Sequence, residues 1–238
     1  MKKISNTKNK SALLTVSEMS ITLDEKQVSL AKKKPLKLLD IELCYVFIVM
    51  IVGSFLGWFV ENLYRFIDQG IIDNRYHFLP FIFAYGIAVI AMFIALGNPN
   101  DIHFFGKKIL KKDLKYKKLW SNLLYLAIVS MFVLVGEIGV GYFYEGLTGL
   151  YLWNYSEMPL HITRYSGVLS MFGFGFGAWA FMKGIFFPLI SWLKRNMSVK
   201  VARIIYCTLG LLIVLDGISM MLITLLTKIK PIYWIIQI

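Results

Sequence analysis

Glu61 and Arg65 stand four residues apart near the end of an apolar run, on a stripe that also carries Gly53 and Gly57. Glu137, Gly141 and Glu145 repeat this spacing on a later run. Four residues advance a helix by about 400°, so each set forms one slowly drifting face. Glycine at that spacing lets helix backbones approach closely. A carboxylate on the same stripe then faces a neighbouring helix or an aqueous cleft rather than lipid. Glu61 with Arg65 has a second reading, as an intrahelical ion pair that closes the helix end; Glu137 has no such partner. Asp216 falls near the middle of another apolar run. An ionised side chain at mid-bilayer costs at least about 2.5–3.5 kcal/mol, so such groups pair or line a wet cavity. For Asp216 two readings stay open: a group lining a path, or a protonated or hydrogen-bonded packing contact beside Gly217 and Ser219.

Other residues bound the chemistry. Trp153-Asn154-Tyr155-Ser156-Glu157-Met158-Pro159, followed by His161 and Arg164, is polar and aromatic. It suits a rigid turn at headgroup level, or equally an interfacial aromatic belt. Gly173-x-x-x-Gly177 has the close-packing spacing and is expected as a helix seam. Cys44 and Cys207 both sit at ends of apolar runs, which argues against a disulfide, and no histidine cluster accompanies them. Gly97 through Gly106-Lys107-Lys108 has the wrong spacing for a phosphate loop and lacks its Ser/Thr. No catalytic residue, metal site or cofactor is therefore assigned, and any ATP must be hydrolysed by another chain.

The elements that position these groups are five apolar stretches, roughly 43–66, 78–97, 119–147, 166–193 and 201–227. A hydrocarbon core of about 30 Å needs about 20 helical residues, so the fold class expected is an all-α integral membrane protein with five transmembrane helices. Nine lysines in residues 1–40, Lys107, Lys108, Lys111, Lys112, Lys115, Lys117 and Lys118 in the second gap, and Lys194, Arg195, Lys200 and Arg203 in the fourth dominate the net charge of +12. The first and third gaps hold only Arg75 and Arg164. The positive-inside rule places the N-terminus in and the C-terminus out, with Lys228 and Lys230 on the contrary side. The charge is thus an orientation device, aided by contact with anionic lipid, and nucleic acid is not an expected partner. Residues 1–40 read as a flexible basic cytosolic tail, 41–228 as the membrane domain and 229–238 as a short C-terminal tail. Spans one and two, and spans three and four, form hairpins open to the outside. A repeat relating them would be parallel, about an axis along the membrane normal.

Gly57-Trp58-x-x-Glu61, Tyr64-Arg65, Asn74-Arg75, Pro80 and Tyr85-Gly86 resemble the CmpB-type bacterial membrane proteins, a family named as putative type IV ABC-transporter permeases. Leu152-Trp153-Asn154-Tyr155-Ser156-x-x-Pro159 is similar to that family's W-D-Y-S segment and its following proline, with Asn154 in place of the usual aspartate. The resemblance covers about residues 45–180. It implies a transport-related subunit in the bacterial plasma membrane, with a cytosolic ATPase meeting the loop 98–118. Five spans are few for a self-contained carrier, so a homo- or hetero-oligomer is implied. Two alternatives remain: a membrane enzyme acting on a lipid headgroup at the outer face through Glu61, His77, Glu145 and His161, or a scaffold for another membrane protein.

Overall fold

The structure, a computed structural model, describes residues 37–38, 41–111 and 113–237. The basic tail expected over residues 1–40 lies outside the described residues but for its last few positions. Helix α1 (Leu43–Gln69) is followed by strand β1 (Ile71–Asp73), and a short helix α2 (Phe83–Leu96) comes next. A small antiparallel meander follows: β2 (Gly97–Asn98), β3 (Asp101–Phe104) and β4 (Lys107–Lys108). Helix α3 (Lys117–Thr148) leads to the hairpin of β5 (His161–Thr163) and β6 (Ser166–Gly167). Helices α4 (Val168–Phe181) and α5 (Phe187–Asn196) are joined without a break by a π-helical turn, Met182–Phe186. That slip lies just before Pro188, whose missing N–H removes one bond from the regular ladder. Helix α6 (Val199–Thr227) and strand β7 (Ile235–Gln237) complete the chain.

Four helical rods, Leu43–Gln69, Lys117–Thr148, Val168–Asn196 and Val199–Thr227, are long and apolar enough to cross a membrane. They make this a multi-pass membrane protein in a lipid bilayer. The second apolar stretch behaves differently. It reads as a span over 78–97, yet only its last 14 residues are helical, about 21 Å of rise. Residues 77–82 approach α2 as irregular backbone whose N–H groups lack helical partners. Asp216, buried on α6, supplies them: its carboxylate accepts from Phe78 N at 2.8 Å and Leu79 N at 3.1 Å. His77 Nδ1 lies 3.5 Å from the same carboxylate. Of the two readings open for Asp216, the hydrogen-bonded contact is the one its geometry displays.

Contacts between loops fix which helix ends share a face. β7 pairs antiparallel with β1, Ile72 opposite Ile236. Lys228 Nζ donates to Thr148 O, at the end of α3, and Lys230 Nζ to Tyr151 O. The C-terminal ends of α1, α3 and α6 therefore meet on one side. On the other, Tyr45 Oη donates to Met197 O at 2.7 Å, and Ser121 Oγ anchors the meander through Ile102 N and Pro99 O. The core of Val46, Val49, Leu96, Tyr125, Val129 and Phe186 lies toward this second side, where α1, α2, α3 and the π turn pack together. Two lysines that stand apart from the rest of the charge thus have a local role, since cations at a helix C-terminus meet the negative end of its dipole.

Residues 229–237 form a strap against the loop that follows α1. Asn74, only 2% exposed, holds it by donating to Pro231 O and accepting from Tyr233 N, while also donating to His77 O. We predict that Asn74→Ala costs about 1–3 kcal/mol and that amide exchange at Ile236 accelerates at least about tenfold relative to core helix amides, measured by hydrogen exchange in detergent micelles.

Candidate functional site

Glu61 projects from the last third of α1 into the loop that follows. Its carboxylate accepts from Arg75 Nε at 2.6 Å and from Tyr85 Oη at 2.7 Å. Arg75 and Tyr76 both adopt left-handed backbone, φ +52° and +69°, which turns the chain back over the helix end. The Asp73 carboxylate stabilises that turn by accepting from Arg75 N at 2.9 Å. It also pairs with Arg65, while Asp73 N donates to Asn62 Oδ1 at 2.8 Å. The intrahelical Glu61–Arg65 pair considered above is not formed. Each residue instead takes an opposite charge from the loop, Glu61 with Arg75 and Arg65 with Asp73. Burial works against the Arg75 guanidinium, but Glu61, Tyr76 and Asp73 together outweigh it and hold Arg75 above its ordinary value.

The second hairpin brings the same three residue types together. Glu145, on α3, accepts from Tyr165 Oη at 2.6 Å and from Arg164 at 3.1 Å. Trp153 Nε1 donates to Tyr165 O, and Tyr155 N to Arg164 O, so the tryptophan-containing loop fixes the pair that meets Glu145. Burial, then the Glu145 carboxylate, pushes the Tyr165 phenol up to about 12, so it stays a neutral donor at physiological pH. In both hairpins a glycine four residues before the glutamate makes room for the tyrosine. A Cβ on Gly57 would overlap the Tyr85 ring, and one on Gly141 would overlap the Tyr165 ring.

Glu137, two turns before Glu145, has a different environment. Its Oε2 accepts from Ser166 Oγ at 2.5 Å and lies 3.0 Å from Ser170 Oγ, at the start of α4. Among the described residues no Lys or Arg pairs with it. The helix N-terminus and two hydroxyls therefore take the place of a counter-charge. Tyr155 reports which groups converge: burial pushes its phenol up, the carboxylates of Glu137 and Glu61 act in the same sense, and Arg75 opposes them. The charges of Glu137, Glu61 and Arg75 are thus all felt at the Tyr155 phenol.

The other expected residues are dispersed. Asn154 accepts from Ser156 N and Oγ, a local turn at the exposed surface. The exposed His161 ring lies 3.2 Å from Met158 O. His77 lies against Asp216; burial lowers its pKa, with Asp216 acting the other way. Glu61, His77, Glu145 and His161, the groups proposed for an enzyme, thus have separate partners. Gly53 packs on Val89 and Phe181, whereas Gly173 and Gly177 touch nothing in this chain. A Cβ added at Gly173 or Gly177 would meet open space among the described residues, and α4 approaches α3 through Gly175, against Ser130.

Tyr85, Tyr165, Ser166 and Ser170 were not among the expected site residues. Their only prior signal was position, Tyr85 beside Gly86 and Tyr165 beside Arg164. A cavity of about 280 Å³, lined by Trp58, Asn74, His77, Phe78, Pro80 and Trp234, lies beside the strap.

A family model described as "Putative ABC-transporter type IV" matches residues 47–221. No curated protein and no solved structure matches the chain. The glycine contacts predict that Gly57→Ala and Gly141→Ala each destabilise by about 1–3 kcal/mol through overpacking. Gly173→Ala, with open space around it, is expected to be neutral or to stabilise by up to about 1 kcal/mol. Thermal unfolding of the purified variants checks both.

Proposed function

This chain belongs to the family described as putative ABC-transporter type IV, and we propose that it is a transport-related membrane subunit working with a separate ATPase. Its five helical segments cross a bacterial plasma membrane. The lysine-rich ends lie in the cytosol, where the ATPase docks, and the ends of α1, α3 and α6 lie outside. The alternation of charge between the gaps supports this orientation. So does the local use of Lys228 and Lys230, the two cations that would otherwise argue against it.

The two hairpins are a parallel repeat. Each contributes a glycine, a glutamate four residues later, and an arginine and tyrosine that close on that glutamate. The polar region between them is the outward part of the substrate path, and the chain works as an oligomer.

The observation that carries this reading is Glu137. A carboxylate within an apolar helix is costly and is retained where it meets a cavity, a proton or a substrate. Glu61 and Glu145 are neutralised by arginine, whereas Glu137 has only hydroxyls.

The test needs no knowledge of the substrate. With Cys44 and Cys207 replaced by serine, Glu137→Cys should react with a membrane-impermeant maleimide added outside intact cells, as should Asn154→Cys at the surface. Lys107→Cys should react only after permeabilisation. A Glu137→Cys that stays unlabelled while Asn154→Cys reacts would contradict a water-accessible path. Labelling of Lys107→Cys in intact cells would invert the orientation.

A further inference from the structure

Between α2 and α3 two exposed aromatic residues, one in the meander and one at the start of α3, occupy backbone conformations that disfavour them. β3 and β4 are joined by the two-residue turn Phe105–Gly106, with Phe104 opposite Lys107. Both turn residues have positive φ, +47° and +80°. Such turns favour Asn-Gly or Asp-Gly, and a bulky side chain at positive φ is an outlier. Phe105 is nonetheless 63% exposed, its ring set edge-on at 5.0 Å to that of its chain neighbour Phe104, itself exposed. Tyr116, at the start of α3, repeats the situation: φ +58° and 67% exposed. The Tyr116 ring likewise lies beside its exposed neighbour Lys115, whose Nζ is 5.2 Å from the ring centroid; an exposed aromatic held in a strained backbone points to something outside the chain that uses the side chain.

Position and charge identify what that is. Phe105 N donates to Ala95 O in the last turn of the apolar helix α2, so the turn folds back against the helix end. Tyr116 and the exposed Trp120 open α3 at its own end. Each strained aromatic is flanked by exposed lysines, Lys107 and Lys108 beside Phe105, Lys115 and Lys118 beside Tyr116. Aromatic rings prefer the headgroup level of a bilayer, and lysines close to an anionic surface bind it additively.

We propose that the β3–β4 turn and the start of α3 form an interfacial anchor that binds anionic phospholipid headgroups, with Phe105 and Tyr116 seated among the headgroups and the neighbouring lysines on their phosphates. Rigidity makes the anchor specific. Asp101 accepts from Lys117 Nζ at 2.6 Å, and the lysine holds its carboxyl below the ordinary range. Ile102 is 2% exposed beneath the hairpin. The surface is therefore presented preformed, without an ordering cost on binding. Lipid composition would then tune the stability of the assembled chain independently of what the path carries.

The experiment titrates phosphatidylglycerol into the full-length protein in phosphatidylcholine-containing micelles and follows its thermal stabilisation. The wild type should be stabilised by phosphatidylglycerol beyond an equal amount of phosphatidylcholine. Lys107→Gln should raise the half-maximal phosphatidylglycerol concentration about five-fold, and Lys107→Gln with Lys108→Gln about 25-fold. Phe105→Asn controls for folding: asparagine suits the turn, so its melting temperature in phosphatidylcholine alone should equal or exceed the wild type's, while its response to phosphatidylglycerol weakens. An undiminished response in these variants, or no response in the wild type, would overturn the proposal and leave the surface to a protein partner.

Discussion

Backbone amides cannot be left unpaired in a hydrocarbon layer, because no water is present to bind them and each orphan costs several kcal/mol. The second apolar stretch meets that constraint with a side chain instead of a helix. Its helical part is 14 residues, too short by itself for a hydrocarbon core of about 30 Å. Asp216 accepts from the amides of Phe78 and Leu79 and stands beside His77. The irregular backbone so stabilised sets the direction of the preceding loop. That loop returns Arg75 to Glu61 and presents Asn74 to the C-terminal strap. One carboxylate on the last helix thereby links α6, the head of α2 and the loop above α1.

The glutamates of the two hairpins show how surroundings decide the role of one residue type. Glu61 and Glu145 each receive an arginine and a tyrosine hydroxyl, so their charge is compensated in place. The Glu61–Arg75 pair is the more enclosed, with side-chain exposures of 20% and 15% against 31% and 49% for Glu145 and Arg164. A buried pair of this kind fixes geometry more than it adds stability, since desolvation offsets much of the attraction. Glu137 lacks a cationic partner among the described residues and takes two serine hydroxyls at the beginning of α4. Its compensation is thus by dipoles rather than by an opposite charge.

Much of this architecture was legible in the sequence, and the parts that were not have a common cause. Hydropathy located the four long rods because an apolar helix satisfies its own backbone. It also read residues 78–82 as helical, since Phe78, Leu79, Phe81 and Ile82 are apolar; hydropathy counts side chains and is blind to the amides that Asp216 binds. The glutamates of the stripes on α1 and α3 take partners from loops 14 and 19 residues away in sequence. Spacing alone left the local Glu61–Arg65 pair open. At Gly173 and Gly177 the spacing said nothing about which side of α4 packs inward. Ile235–Gln237 is too short a strand to announce itself without its partner at Ile71–Asp73.

The most direct measurement is hydrogen exchange at the Phe78 and Leu79 amides, in the wild type and in Asp216→Ala, with the protein in lipid nanodiscs. The account predicts slow exchange in the wild type and fast exchange at these two amides in the variant, with α1 and α3 still protected. Equal protection in both proteins would show that the head of α2 is satisfied by something else, and Asp216 would lose its place at the centre of the structure.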